Sequence, residues 1–274
     1  VHSTERRDGS GPLPAGLDQA IRETAEEIAT LLRGAPDATL ALPGSEWTLG
    51  EAAAHLALAN QLMADLASGR ERPYGDGTPQ SLAEANAQSL AGFGERRAEP
   101  LAAMIRDQAE AFLEAMTRSA TDGPAPFTPL GPMYLSDLAS YLLTHMLGHG
   151  YDLARALKRP HMVDGARTSL CMPFMYRVMA RCTDTAATAG LTARYRIRLR
   201  GGEAFGVSLT DGDMRVTPEP PDRADCTILI EPTAFLLIAL GRRNPWRAMA
   251  QGQILAWGPK PWLAPRFPTL FTAP

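Results

Sequence analysis

The chain has 274 residues, 45% of them hydrophobic, enough for one large or two medium domains with apolar cores of their own. Its 27 Lys and Arg against 30 Asp and Glu leave a formal net charge of −3, so no general pull toward nucleic acid or an anionic membrane is expected. The apolar run Ala234 to Leu240 is far too short to span a bilayer, and a soluble, cytoplasmic protein without a membrane partner is expected. Cys171, Cys182 and Cys226, odd in number and widely spaced, suit a reducing compartment better than a disulfide framework.

Residues 1–14 are charged and rich in Gly and Pro, without the apolar stretch of a signal peptide, and read as a flexible N-terminus. Leu17, Ile21, Ile28, Leu31 and Leu32 then form one helical stripe. Trp47-Thr48-Leu49-Gly50-Glu51 reads as a helix start, with Thr48 as N-cap and Glu51 closing a capping box. The Ala-rich helix that follows runs to Leu66 and carries His55 one turn past Glu51, on the same face. Taken singly, His55 reads as a hydrogen-bonded core histidine beside Leu56 and Leu62.

A polar loop spans Gly69 to Pro79, and helix formers resume from Leu82 to about Thr121, with Pro100 marking a kink or a fresh start. Asp122 to Pro132 is a second loop. Ser136-Asp137 caps or charges the next helix, which ends near Arg159-Pro160. Four long helices with such connections predict an antiparallel four-helix bundle over 15–165, the architecture in which ligands from facing helices converge.

His145 and His149 lie four residues apart in the last of these helices, one turn apart on one face, an arrangement that lets two imidazoles share a metal. With His55 as a third ligand they predict a metal site that keeps one or more positions open. Asp152, three residues after His149, either orients a ligand or substrate or forms a surface pair with Arg155.

Past Ala166 one more helix is expected to about Gly190, and then the period changes to two. Strands are predicted at Tyr195–Arg200, Phe205–Thr210, Met214–Thr217 and Cys226–Glu231, with hairpin turns at Gly201-Gly202 and Asp211-Gly212-Asp213. The arginines of Arg194 to Arg200 alternate with apolar residues and predict one wet strand face. A short helix over Thr233–Leu240 and a last strand near Ile254–Trp257 complete a smaller α+β domain, 166–274, built on an antiparallel sheet. Trp246, Trp257 and Trp262 are expected in its core and at the domain interface.

Three stretches carry a resemblance to a known family: Trp47 through Leu56, His145 through Leu153, and the tail with Gly241-Arg242-Arg243, Gly252 and Trp257-Gly258. They resemble the mycothiol-dependent maleylpyruvate isomerase family, whose members join a DinB-like metal-binding bundle to a domain similar to sterol carrier protein 2. The resemblance implies zinc, or another divalent transition metal, held by His55, His145 and His149. It departs at His145, where the isomerase branch has a glutamate and the DinB branch a histidine.

The chemistry implied is a low-molecular-weight thiol such as mycothiol, held as its anion and added to or transferred onto a small electrophile, by a monomer or homodimer. Arg242 and Arg243 are candidates for binding carboxylates of the thiol or the substrate, Arg243 and Asp152 for a part in catalysis; solvated arginines after an apolar helix are the alternative. Two other readings stay open: a non-catalytic small-molecule or lipid-binding protein, and a metal-dependent hydrolase using water in place of the thiol.

Overall fold

A computed structural model describes residues 13–118 and 127–272. Most of the expected flexible N-terminus and part of the Asp122 to Pro132 loop lie outside the described residues. The chain divides after Met162 into two compact units.

In the first unit, α1 (Leu17–Arg33), α2 (Leu49–Ala67), α4 (Ala98–Arg118) and α5 (Leu135–Ala156) form the helical bundle, with the short α3 (Leu82–Ala91) against α2. Both α1 and α2 pack on α4 and on α5. Leu17, Ile21, Ile28 and Leu32 of α1 are fully buried, so the apolar stripe is the face that turns inward. Leu56, next to His55, and Leu142 and Met146, which flank His145, are also fully buried. Truncating Leu56 to Ala costs about 2–5 kcal/mol by transfer and cavity terms together, so the packing that orients these helices is the packing that aims the histidines.

The third expected helix is two. α3 ends before Gly92 and α4 begins at Ala98, so of the kink or fresh start expected at Pro100 it is the fresh start that forms, two residues earlier. Pro100 sits in the first turn of α4, where its missing N–H has no intrahelical partner to lose. The Arg96 guanidinium closes the gap by donating to the carbonyls of Leu90, Phe93 and Glu95. At α5, Ser136 is not the N-cap: that position is Tyr134, without a side-chain cap, and Asp137 supplies the negative charge of the first turn.

The second unit begins with α6 (Gly165–Arg181), shorter than expected, because Asp184 caps a separate one-turn helix, α7 (Thr185–Thr188). Five strands follow: β1 (Ala193–Leu199), β2 (Ala204–Thr210), β3 (Asp213–Thr217), β4 (Cys226–Ile230) and β5 (Ile254–Trp257), with α8 (Pro232–Ala239) and α9 (Pro245–Ala250) between the last two. The β2–β3 hairpin turns through Asp211 at φ 51° and Gly212 at φ 94°, the two positive values such a tight turn demands.

The sheet order is β3-β2-β1-β4-β5. Three of its pairings are antiparallel, as the hairpin signals predicted; the fourth, β1 with β4, is parallel. The chain leaves β3 at one edge and returns to the other side of β1, and that crossover has no local signature. Across the core face, Phe205, Ile197 and Ile228 stand in one row, while Arg194 and Arg198 stay exposed on the other, which is the expected wet face. Trp246, Trp257 and Trp262 do not join that core: they are 57%, 43% and 68% exposed. Trp257 lies on the edge strand β5, whose strand neighbour is β4. Among the described residues no helix is long and apolar enough to cross a membrane.

Candidate metal centre

α2 starts where the capping box predicts. Thr48 Oγ1 accepts from the Glu51 N–H at 3.3 Å, and Glu51 Oε2 accepts from the Thr48 N–H at 2.7 Å and from its hydroxyl at 2.9 Å. These bonds hold the Glu51 carboxyl below its ordinary range, with Arg96 adding to the shift. Glu51 shares a face with His55, but both its capping contacts tie it to the helix start rather than to the imidazoles.

One turn on, His55 is 5% exposed. From α5, His145 and His149 reach the same point with ring centroids 4.6 Å apart; His55 lies 5.1 Å from the first and 4.8 Å from the second. The Nε2 atoms of His55 and His145 are 3.1 Å apart. One ligand nitrogen from each of the three rings falls within 4.8 Å of the others, the candidate metal-binding group among the described residues.

The donor set fits a borderline transition ion. Two imidazole nitrogens at zinc distance in a tetrahedron are about 3.4 Å apart, so the His55–His145 spacing is already close to that of a shared ion. The widest of the separations is larger, and a modest ring rotation closes it. Neutral imidazoles suit Zn, Cu, Fe or Ni, and three of them leave a position for an exogenous ligand.

Around the three rings stand groups of two kinds. Asp152 Oδ2 lies 3.7 Å from His149 Nδ1, on the side of the ring away from Nε2, where a carboxylate orients a metal-binding imidazole. Two aromatic neighbours were not assigned a role from the sequence. The Trp47 indole is 4.9 Å from His55 and 6.2 Å from His149 by ring centroids. Tyr141 meets His145 edge-on at 6.3 Å. The signal for Tyr141 was the same four-residue spacing that joins His145 to His149, extended one turn back.

His55, His145, His149 and Asp152 are thus together in the first unit. Arg242 and Arg243 belong to the second, where Arg242 donates to the Leu240 carbonyl at 2.5 Å and Arg243 to Gln251 Oε1 at 2.9 Å.

Comparison with known families assigns both units. Residues 20–152 match the DinB superfamily, and residues 177–258 match the SCP-2 sterol transfer family. Among solved structures, the chain is similar to a mycothiol-dependent maleylpyruvate isomerase, with TM-score 0.53 and 14% identity over 89% of this chain and 93% of that one. A variant of that enzyme with one histidine replaced by alanine matches with the same TM-score, identity and coverage. At this identity the likeness establishes a shared fold. No curated protein matches the sequence.

Proposed function

Because the chain joins a DinB-superfamily domain to a C-terminal SCP-2 domain, we propose that it is a metal-dependent thiol enzyme, an S-transferase or thiol-dependent isomerase acting on a small electrophile. The observation that carries this reading is the convergence of three imidazoles from α2 and α5 on one point. His55, His145 and His149 would hold the ion, zinc or another divalent transition metal, and a bound ion there would supply Lewis acidity that keeps a thiol such as mycothiol ionised near neutral pH.

The protein's own groups do the rest. Asp152, 3.7 Å from His149 Nδ1, would fix the tautomer of that ring once a hydrogen bond closes the gap, and Trp47 and Tyr141 wall the imidazoles. The nucleophilic sulfur is exogenous, because Cys171, Cys182 and Cys226 are all buried thiols of the second unit. Attack of that sulfur on an unsaturated carbon forms a C–S bond while the electron pair of the double bond takes up a proton; later loss of the thiol leaves an isomer, and retention leaves an adduct. Arg242 and Arg243 are proposed to bind carboxylates of thiol or substrate, Arg243 with a part in the chemistry.

Metal analysis of freshly purified protein tests the reading, with one divalent ion per chain expected in the wild type and loss of it in His55→Ala and His149→Ala. Incubation of the loaded protein with a panel of thiols and electrophiles should give adducts or isomers by mass spectrometry. Substoichiometric metal together with no uptake of added zinc overturns the proposal. Turnover that ignores added thiol points instead to hydrolysis. The SCP-2 match favours one second reading, a non-catalytic carrier whose second unit holds an apolar ligand. Co-purifying lipid with no metal dependence is the result that selects it.

A further inference from the structure

Trp47 is an aromatic neighbour of the imidazole cluster, and its backbone position is built by the loop around it. The loop before α2 folds back on itself: Leu42 N–H donates to the Trp47 carbonyl at 3.0 Å, and Trp47 N–H donates to Ser45 Oγ at 3.1 Å. Ala41 and Thr48 form an isolated antiparallel bridge, and the N–H groups of Leu49 and Gly50 donate to the carbonyls of Leu40 and Ala38, each at 2.8 Å. The approach at Gly50 is so close that a Cβ there would stand 2.7 Å from the Arg96 carbonyl oxygen. These contacts fix the point from which the indole leaves the backbone.

The half-buried indole covers two of the three rings, tilted at 47° over His55 and nearly parallel, at 26°, to His149. An indole has one donor, no acceptor, and no atom that ligates a cation through a lone pair. What it offers is a flat apolar wall that excludes water and lowers the local dielectric, which strengthens attraction between a cation and imidazole lone pairs. It also restricts the rotation of both rings about their χ2 bonds, the very torsions that decide whether the nitrogens point at a common centre. The contact bridges the two helices: His55 comes from α2 and His149 from α5, so one side chain disciplines both halves of the ligand set.

We propose that Trp47 is a positioning residue for the ion, holding the His55 and His149 rings in their ligating orientation and keeping water from their flank. The inference rests on the metal-centre reading and adds to it a determinant of affinity and coordination number. Removal of the aromatic wall should weaken ion binding through ring freedom and admit extra water ligands, whereas a smaller aromatic ring should preserve both.

The test loads wild type, Trp47→Phe and Trp47→Leu with Co²⁺ and measures affinity and visible absorption. Trp47→Leu should bind roughly tenfold more weakly, the scale on which groups that orient metal ligands act. Its absorption should fall severalfold, because four-coordinate Co²⁺ absorbs strongly and the ion with added waters does not. Trp47→Phe should stay close to wild type in both. Equal affinity and an equal spectrum in Trp47→Leu overturn the proposal, and so does a loss of the same size in Trp47→Phe. Should far-ultraviolet circular dichroism show Trp47→Leu unfolded, Trp47→Met carries the same comparison. Failure of the wild type itself to bind Co²⁺ in a manner that depends on His145 is a different result: it removes the metal centre, and Trp47's role with it.

Discussion

Asp152 Oδ2 lies 3.7 Å from Nδ1 of His149, one helical turn apart on α5. The gap is longer than a hydrogen bond, and a small rotation of either side chain closes it once His149 is drawn toward an ion. On the proposed metal-centre reading, the carboxylate would then accept a hydrogen bond from Nδ1–H and leave Nε2 as the lone-pair donor. Asp152→Asn should therefore weaken metal binding about tenfold or more in competition with a chelator, while the melting of the ion-free protein stays near wild type. Unchanged chelator competition would remove Asp152 from the site.

The capping box couples the start of α2 to pH. Thr48→Ala removes the hydroxyl that caps α2 and should cost about 1 kcal/mol by urea unfolding. Hydrogen bonds from Thr48, with help from Arg96, hold the folded Glu51 carboxyl below the ordinary glutamate range. A carboxylate whose folded pKa is depressed contributes its stability in full above the unfolded value and loses it as pH falls through the folded one. Glu51→Gln keeps the acceptor and removes the charge. The advantage of wild type over Glu51→Gln should accordingly hold steady at neutral pH and shrink in acid below about 4.5. An advantage that grows on acidification would contradict the assignment.

The three thiols should be inert in the folded chain. Burial pushes Cys182 up to about 11 and raises Cys226 as well, while Cys171 is fully buried. A raised thiol pKa leaves little thiolate at neutral pH, and a buried one leaves little access. A chromogenic disulfide reagent should find no rapidly reacting thiol in the native protein and all three after denaturation. A fast native thiol would reopen the question of whether the nucleophilic sulfur comes from the chain itself.

Local signals translated directly. Thr48 and Glu51, three residues apart, formed the capping box read from the sequence, and Asp211-Gly212 turned the hairpin it was expected to turn. Alternation from Arg194 to Arg198 gave a buried and an exposed face, because a strand's period of two leaves no other choice. The misses were of another kind. Pro100 marks the fresh helix start to within two residues, but the extent of the gap before it, Gly92 to Arg97, has no such marker, because Arg96 supplies partners for the freed carbonyls from outside the helix. Trp246, Trp257 and Trp262, expected in a core and at a domain interface, are exposed, and for Trp257 the reason is that hydrophobicity does not say which strand ends up at a sheet edge.

Helical geometry by itself placed His145 and His149 on one face, since four residues are close to one turn, and the chain's pattern alone separated a helical half from a strand-rich one. That His55, ninety residues earlier, brings its Nε2 within 3.1 Å of His145 was decided by the packing of α2 against α5. The same packing chose Trp47 and Tyr141 as the walls of the site. Periodicity specifies which way a side chain leaves its own backbone; only burial of the apolar stripes of several helices together specifies which backbones meet.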